Sequence, residues 1–255
     1  MRRTVIRRTA LATSAACVAL LATACGGSDS GSGSGDKAGD TKGKESTAAK
    51  ALTAAELEKA ALAQGDVEGH KVAKTAAKDE ISKNDIKAEK AACTPLANAL
   101  MGAEVGEPAT FTRRTVVSEP KKKADLKPEE ALKAALDITT TQLALGSYDG
   151  TGAADSVAAL RKAATECAGG FSFTAGGEQN KVTKVTEAQV KGGEEAAAWT
   201  VEMAAGGEKV TFKLVGMRQG ASFASFASIN LAALGGEGDF ELPTAVIEAQ
   251  AAKLA

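Results

Sequence analysis

From Leu52 to Ala255 the sequence predicts an α+β fold in which an antiparallel β-sheet packs against several helices. The last third consists of strand-length runs separated by Gly-Gly or Gln-Gly turns, which is the pattern of consecutive hairpins. Runs with helical apolar spacing precede these hairpins and follow them. Helices that stand apart from a series of hairpins are typical of the α+β class, and about 200 residues suit one domain.

Two short helices are predicted in the first half of this region. Thr53 and Glu56 form a capping box, so the first helix begins after Thr53 and ends before Gly65. The second helix lies in CTPLANALMG. Pro95 opens it, because proline has no N–H and therefore suits the first turn.

The strands of the first half are predicted from alternation. EPATFTRRTVVSEP alternates from Phe111 to Val117, and DITTTQLALGSY is rich in residues that favour strands. A further strand is predicted in DVEGHKVAK. The polar runs KTAAKDEISKNDIKAEK and KKKADLKPEE are predicted as loops, the latter leading into a helical turn at Pro128.

Two later segments have clear helical faces. TGAADSVAALRKAATEC has the most regular one, which contains Val157, Leu160, Ala164 and Cys167. A C-terminal helix begins after Pro243 in LPTAVIEAQAAKL, and its apolar anchors are Val246, Ile247 and Leu254.

The hairpin strands indicate which side chains share a side of the sheet. In EEAAAWTVEMAA, successive side chains point to opposite faces, so one face holds Ala196, Ala198, Thr200 and Glu202, and the other holds Ala197, Trp199, Val201 and Met203. In EKVTFKLVGMRQG the shared side contains Val210, Phe212, Leu214 and Gly216.

The first 24 residues are typical of an export signal that is removed. Four basic residues come first, and they are Arg2, Arg3, Arg7 and Arg8. An uncharged apolar run follows from Ala10 to Ala24, shorter than the roughly 20 apolar residues that a spanning helix needs. The paired arginines leave export by the twin-arginine route open.

Small residues around Cys25 resemble a bacterial lipobox. Ala22, Thr23 and Ala24 precede the cysteine, and Gly26 and Gly27 follow it. The resemblance implies that the Cys25 thiol is diacylated, that the signal is cut before it, and that lipid holds the mature chain to the extracytoplasmic face of the cell membrane. The alternative is an ordinary secretory signal with a cysteine near its cleavage site by chance.

Three segments follow from these patterns: residues 1–24 as a lipoprotein signal peptide, residues 25–51 as the lipidated cysteine and a tether, and residues 52–255 as the folded domain. The tether contains GGSDSGSGSGDKAGDTKGKES, which is too polar to bury much surface. About 27 such residues have a root-mean-square reach of roughly 30 Å.

Composition excludes several classes of function. The whole chain has a net charge of −1, and removal of the four signal-peptide arginines leaves about −5, without a basic surface interleaved with aromatic residues. We therefore expect no nucleic-acid partner. The abundance of Ala, Gly and Thr is typical of a high-GC actinobacterial source.

Motifs for catalysis are missing from the sequence. It contains no HExxH, GxSxG or GxxxxGK[ST] pattern. The one histidine, His70, lies in a polar strand, and the pairs Glu129-Glu130 and Glu194-Glu195 are adjacent rather than opposed across a site. We expect no enzyme activity, no cofactor and no metal.

The chain has four cysteines. Cys17 leaves with the signal and Cys25 takes the lipid, so Cys93 and Cys167 form the remaining pair. In an oxidising compartment the expected outcome is a structural disulfide. The pair is not a CxxC motif and lacks the spacing of a metal site, which argues against a redox or metal role.

The layout from about Ala51 to Ala255 resembles the PknH-like extracellular domain, the sensor domain of actinobacterial lipoproteins and of a receptor serine/threonine kinase. The shared pattern is a cysteine-bearing helix, strands, a helix ending in EC, then GGEEAAAWTVEM, KVTFKLVGMRQG and a returning strand. The resemblance implies an antiparallel sheet flanked by helices and a cleft for an unidentified ligand. The kinase member has two disulfides in this domain, whereas this chain has cysteines for one.

Two non-catalytic functions fit this layout, and a third possibility is an envelope scaffold that binds only protein. One is a lipid-tethered sensor or ligand-binding module, and the other is an LppX-like carrier of lipid or another hydrophobic molecule. The cysteine pair favours the sensor. The same speculative ligand-binding residues would line the site in either case, and the alternative is that they only pack the core. They are Trp199, Phe212, Leu214, Phe223 and Phe226.

Overall fold

A nine-stranded antiparallel sheet forms the centre of the described chain. The computed structural model describes residues 49–120, 127, 131, 134–205, 208–234 and 239–255, all within the unit Glu45–Ala255. The strands are β1 (His70–Lys74), β2 (Ile86–Ala88), β3 (Thr110–Ser118), β4 (Thr139–Ser147), β5 (Phe171–Ala175), β6 (Glu178–Ala188), β7 (Glu195–Ala205), β8 (Glu208–Gln219) and β9 (Ser222–Asn230).

The sheet is built around the hairpins of the last third. Strands β5 to β9 pair consecutively, as their sequence predicts, and β4 then pairs with β9 to continue the sheet. The order is β1-β3-β4-β9-β8-β7-β6-β5-β2, so β1 and β2 are the edge strands. The predicted α+β class with an antiparallel sheet is confirmed.

Helices cover both faces of the sheet. They are α1 (Ala54–Ala60), α2 (Thr94–Leu100), α3 (Gly152–Glu166) and α4 (Thr244–Leu254). The capping box before α1 is confirmed, because the Thr53 N–H donates to Glu56 Oε2 at 2.8 Å and the Glu56 N–H donates to Thr53 Oγ1 at 3.3 Å. None of the helices in these residues is long and apolar enough to span a bilayer.

Each face of the sheet has its own apolar core. On the first, which we call the disulfide face, α2 and α3 pack on Trp199, Val201 and Leu214. On the second, the terminal-helix face, α1 and α4 pack on Ala198 and Val215. The alternation predicted for β7 and β8 is therefore confirmed, and it separates the two cores because neighbouring side chains cannot share a face.

A disulfide joins Cys93 to Cys167, as predicted, with their Cα atoms 5.9 Å apart. Cys93 directly precedes α2, and Cys167 directly follows α3. Both are buried in the disulfide-face core. The bond therefore holds together the two helices that cover this face.

Gly216 allows α3 to lie close to the sheet. A Cβ added at this position of β8 would lie 2.8 Å from Leu160 Cδ1 on α3 and 3.2 Å from the ring of Phe223. Both neighbours are buried, so a larger residue here would require the Leu160 side chain and the Phe223 ring to move. The close approach of α3 explains why the apolar side of β8 contains a glycine.

One short strand was missed by the sequence reading, and some predicted segments lie outside the described residues. β2 lies in the run predicted as a loop, and Ile86 is the buried residue of this strand. It forms by pairing with β5, in the register Ile86↔Ala175, which local sequence cannot indicate. Residues 121–126 and 128–130 of the KKKADLKPEE loop, the signal peptide, Cys25 and nearly all of the tether are not among the described residues.

The segment after α1 is joined to α4 by an ion pair that titrates in acid. Asp66 accepts from Lys253 Nζ at 2.6 Å and from the Ala63 N–H at 2.7 Å, and these two hydrogen bonds lower the pKa of Asp66. Since the folded pKa lies below the unfolded one, this contribution is present above about pH 4 and is lost as the pH falls through the folded pKa.

Asp66→Asn is therefore expected to lower the free energy of unfolding by about 1 kcal/mol at pH 7 and by much less at pH 3. Urea unfolding at the two pH values measures the difference, and Glu68→Gln, at an exposed neighbouring carboxylate, is the control. An effect of the same size at both pH values would contradict this role for the ion pair.

Candidate binding groove beside β3

Four of the five predicted ligand-binding residues lie together on the disulfide face. Trp199, Leu214 and Phe223 are at most 4% exposed, and the partly buried Phe212 packs against them. They belong to the core beneath α2 and α3. Neither of the two pockets described below is lined by any of them.

Phe226 lies on the terminal-helix face, with Val215 and Ala224. It is three residues after Phe223 in β9, and an odd spacing along a strand places two side chains on opposite faces. The five residues therefore do not form one surface.

A groove of about 530 Å³ lies between α1 and the start of β3. This volume is within the range of small-ligand sites. Its lining combines two small side chains, four charged ones, a hydroxyl and an aromatic ring: Ala54, Ala55, Glu58, Lys74, Glu80, Phe111, Thr112 and Arg113. Unlike the predicted apolar residues, this set is polar and open to solvent, which makes it the candidate site.

Arg113 forms the floor of the groove on the disulfide face. Its side chain is 9% exposed, and Nε donates to the Gly102 carbonyl at 2.6 Å while Nη2 donates to the Ile81 carbonyl at 3.0 Å. Its guanidinium is also 3.3 Å from Glu80 Oε2 and 3.7 Å from Glu104 Oε2. The buried charge is therefore paired and hydrogen-bonded, which burial of a charge requires.

The Phe111 ring lies against the same guanidinium. The Arg113 Cζ atom is 4.9 Å from the ring centroid, a cation–π distance. The ring and the guanidinium therefore pack together at this point of the groove.

Arg114 points to the opposite face and supports the other wall. It donates to the Leu62 carbonyl at 2.8 Å and to Glu58 Oε1 at 2.9 Å. Glu58 Oε2 accepts from the Thr112 hydroxyl at 2.8 Å. Burial acts to raise the pKa of Glu58, but the Thr112 hydroxyl and the Arg114 charge outweigh it and lower the pKa, so Glu58 is anionic at neutral pH.

Sequence reasoning did not identify this arginine pair as part of a site. The signal was present, since two adjacent charges inside a strand must lie on opposite faces of the sheet. What the sequence cannot show is that both faces are covered here, so that each arginine needs its own set of carbonyl and carboxylate acceptors.

A second, smaller depression lies on the disulfide face. One side of it is formed by α3 and the other by the segment at the start of α2. It has a volume of about 190 Å³ and a mostly apolar lining: Ala91, Ala92, Pro95, Ala159, Lys162, Ala163 and Glu166. It offers little polar chemistry for recognition.

Metal-ligating side chains do not cluster in the described part of the chain, where no group of three or more His, Cys, Asp or Glu residues could hold an ion. The ring of His70 is 2.8 Å from the Glu68 carbonyl through Nδ1. This is a local contact at the start of β1.

No family model matches the chain, and no curated protein matches it. Among solved structures, one similar chain is the extracellular domain of PknH from Mycobacterium tuberculosis, with 12% sequence identity and a TM-score of 0.44 over 80% of this chain and 95% of that one. A likeness of this size identifies neither the family nor the ligand of the protein.

Proposed function

We propose that the protein is an extracytoplasmic lipoprotein, held to the cell membrane through Cys25, that acts as a non-catalytic sensor or ligand-binding module. The order of segments at the N-terminus carries the proposal: a basic start, an apolar run, small residues before Cys25 and a Gly/Ser-rich stretch after it. The Cys93–Cys167 disulfide supports it, because such bonds persist in oxidising compartments.

The groove beside β3 supports the binding half of the proposal. It has the volume of a small-ligand site, and hydrogen bonds and ion pairs hold Glu58, Arg113 and Arg114 in place. A preorganised polar lining lowers the cost of binding, because the side chains are already ordered before a ligand arrives.

The proposal predicts that Cys25→Ala moves the protein from the membrane fraction to the soluble fraction, because the thiol that takes the lipid is gone. Fractionation of the expressing cells and mass spectrometry of the mature N-terminus measure this. Cys17→Ala is the matched control, since Cys17 lies inside the signal and is expected to leave with it. Continued membrane association of Cys25→Ala, or a mature chain that starts elsewhere, would contradict lipid anchoring.

A carrier of lipid is the alternative function, with an envelope scaffold as the third. A carrier needs a large apolar cavity, whereas Trp199, Leu214 and Phe223 are packed beneath the helices of the disulfide face. This packing supports the binding module over the carrier. Native mass spectrometry of protein from its own host tests the choice, and a co-purifying lipid would favour the carrier.

A further inference from the structure

The first residues of β3 are covered on one side only. The register between β1 and β3 ends at Lys74↔Arg114, whereas β3 begins at Thr110. The Thr75 N–H still donates to the Arg113 carbonyl at 3.4 Å, after which the chain turns into a 3-10 helix. Within the described residues, the start of β3 therefore has a neighbouring strand on the β4 side alone.

The main chain of Phe111 is directed toward this uncovered side. In an antiparallel pair, alternate residues direct their N–H and C=O groups toward the same neighbour. The Arg113 carbonyl accepts from Thr75, and the Glu119 N–H donates to the Gly69 carbonyl, so the odd-numbered residues of β3 are directed toward β1. Phe111 follows the same alternation, and no strand of the described chain pairs with it there.

The groove lies at this uncovered edge. Phe111, Thr112 and Arg113 line it from the sheet, and the exposed Ala54 and Ala55 line it from α1. The two alanines leave room for the side chains of an incoming segment. An unpaired donor and acceptor on a sheet edge, facing an open groove, are the elements to which an added strand binds.

The charges of the groove suit a peptide better than an ion or a lipid chain. Two carboxylates, Glu58 and Glu80, and two cations, Lys74 and Arg113, cancel in net charge. The Lys74 side chain is 68% exposed, and the carboxylates Glu58 and Glu80 are 43% and 36% exposed, so charges of both signs are accessible to a ligand. A neutral peptide backbone with polar side chains complements this lining, whereas an acyl chain would leave the four charges without solvent.

We propose that the groove binds an extended peptide segment, which adds as a strand to the Phe111 edge of β3. The inference rests on the proposed function and names the class of its ligand. The Phe111 N–H and C=O pair with the peptide main chain, and its alternate side chains lie toward Ala54 and Ala55 on one face and toward Glu80 on the other.

Amide hydrogen exchange tests the premise on the free protein. The Phe111 amide is expected to exchange faster than the Val117 amide, which lies opposite Lys71 in the β1–β3 ladder. Equal protection of the two amides in the free protein would overturn the inference, because it would mean that the edge is already paired.

Peptide binding is tested on the full chain in detergent micelles, with a phage library of random peptides as the probe. Enriched peptides are synthesised and their dissociation constants measured against wild type, Ala55→Trp and Ala158→Trp. Ala55→Trp fills the groove from an exposed helix position, and Ala158→Trp places the same side chain at an exposed position of α3. We expect Ala55→Trp to weaken binding roughly tenfold or more and Ala158→Trp to leave it unchanged.

Protection of the Phe111 amide on addition of the peptide to wild type is the second expected result, and it does not depend on a variant. Failure of any peptide to enrich, equal binding by both tryptophan variants, or no change at Phe111 would each overturn the inference. None of these results would bear on lipid anchoring, because anchoring is tested separately by the cellular location of Cys25→Ala.

Discussion

The double variant Cys93→Ala/Cys167→Ala is expected to have a free energy of unfolding about 4 kcal/mol below that of wild type. The disulfide closes a loop between residues 74 apart in sequence, so its loss returns a large conformational freedom to the unfolded chain. Both sulfurs lie in the core between α2 and α3, where alanines fill less space. The expected effect is a large part of the stability of a typical domain.

Urea unfolding of the oxidised proteins measures the difference. Unfolding in the presence of a thiol reductant is the control, because reductant should lower the midpoint of wild type to that of the variant and leave the variant unchanged. A double variant with the midpoint of oxidised wild type would show that packing of α2 and α3, not the covalent link, holds this face.

Arg113→Met is expected to lower the free energy of unfolding by about 3 kcal/mol. The substitution keeps much of the apolar stem but removes the donors to the Gly102 and Ile81 carbonyls and the charge beside Glu80 and Glu104. Leaving a buried acceptor without a donor costs more free energy than its hydrogen bond contributed to stability.

Arg161→Met is the matched control for this prediction. The Arg161 side chain is 43% exposed and pairs with Glu195 at 3.7 Å, so solvent screens the pair and its loss should cost at most about 1 kcal/mol. Urea midpoints of the two variants at neutral pH give the comparison. If the two variants were equally stable, the ion pairs and hydrogen bonds of Arg113 would contribute no more than an exposed pair.

Much of the fold could be predicted from local pattern. The capping box of Thr53 and Glu56 indicates where α1 begins, and the alternation of β7 correctly separates Trp199 from Ala198. Both signals depend on residues close in sequence, whose geometry is determined by the local backbone. The pairing of Cys93 with Cys167 followed from excluding the other two cysteines.

The candidate site could not be predicted in the same way. The five predicted apolar residues are large and lie in the hairpin strands, but size and hydrophobicity do not distinguish a ligand surface from a core. Phe226 shows the difficulty, since its neighbour in the proposed set, Phe223, packs on the other face of β9. The groove beside β3 depends instead on where β1 leaves the sheet after Thr75.

The sequence by itself determined most of the element types, the faces of the hairpin strands, the disulfide pair and the prediction of a lipid anchor at Cys25. The disulfide pair follows from excluding the other two cysteines, and the rest follow from spacing, alternation or a short motif among residues close together in the sequence. Only the tertiary structure decided the strand order, the pairing of β2 with β5, the burial of Arg113 and Arg114 and the uncovered edge at Phe111. These depend on which distant segments meet, and they follow from packing of the described segments on both faces of one sheet.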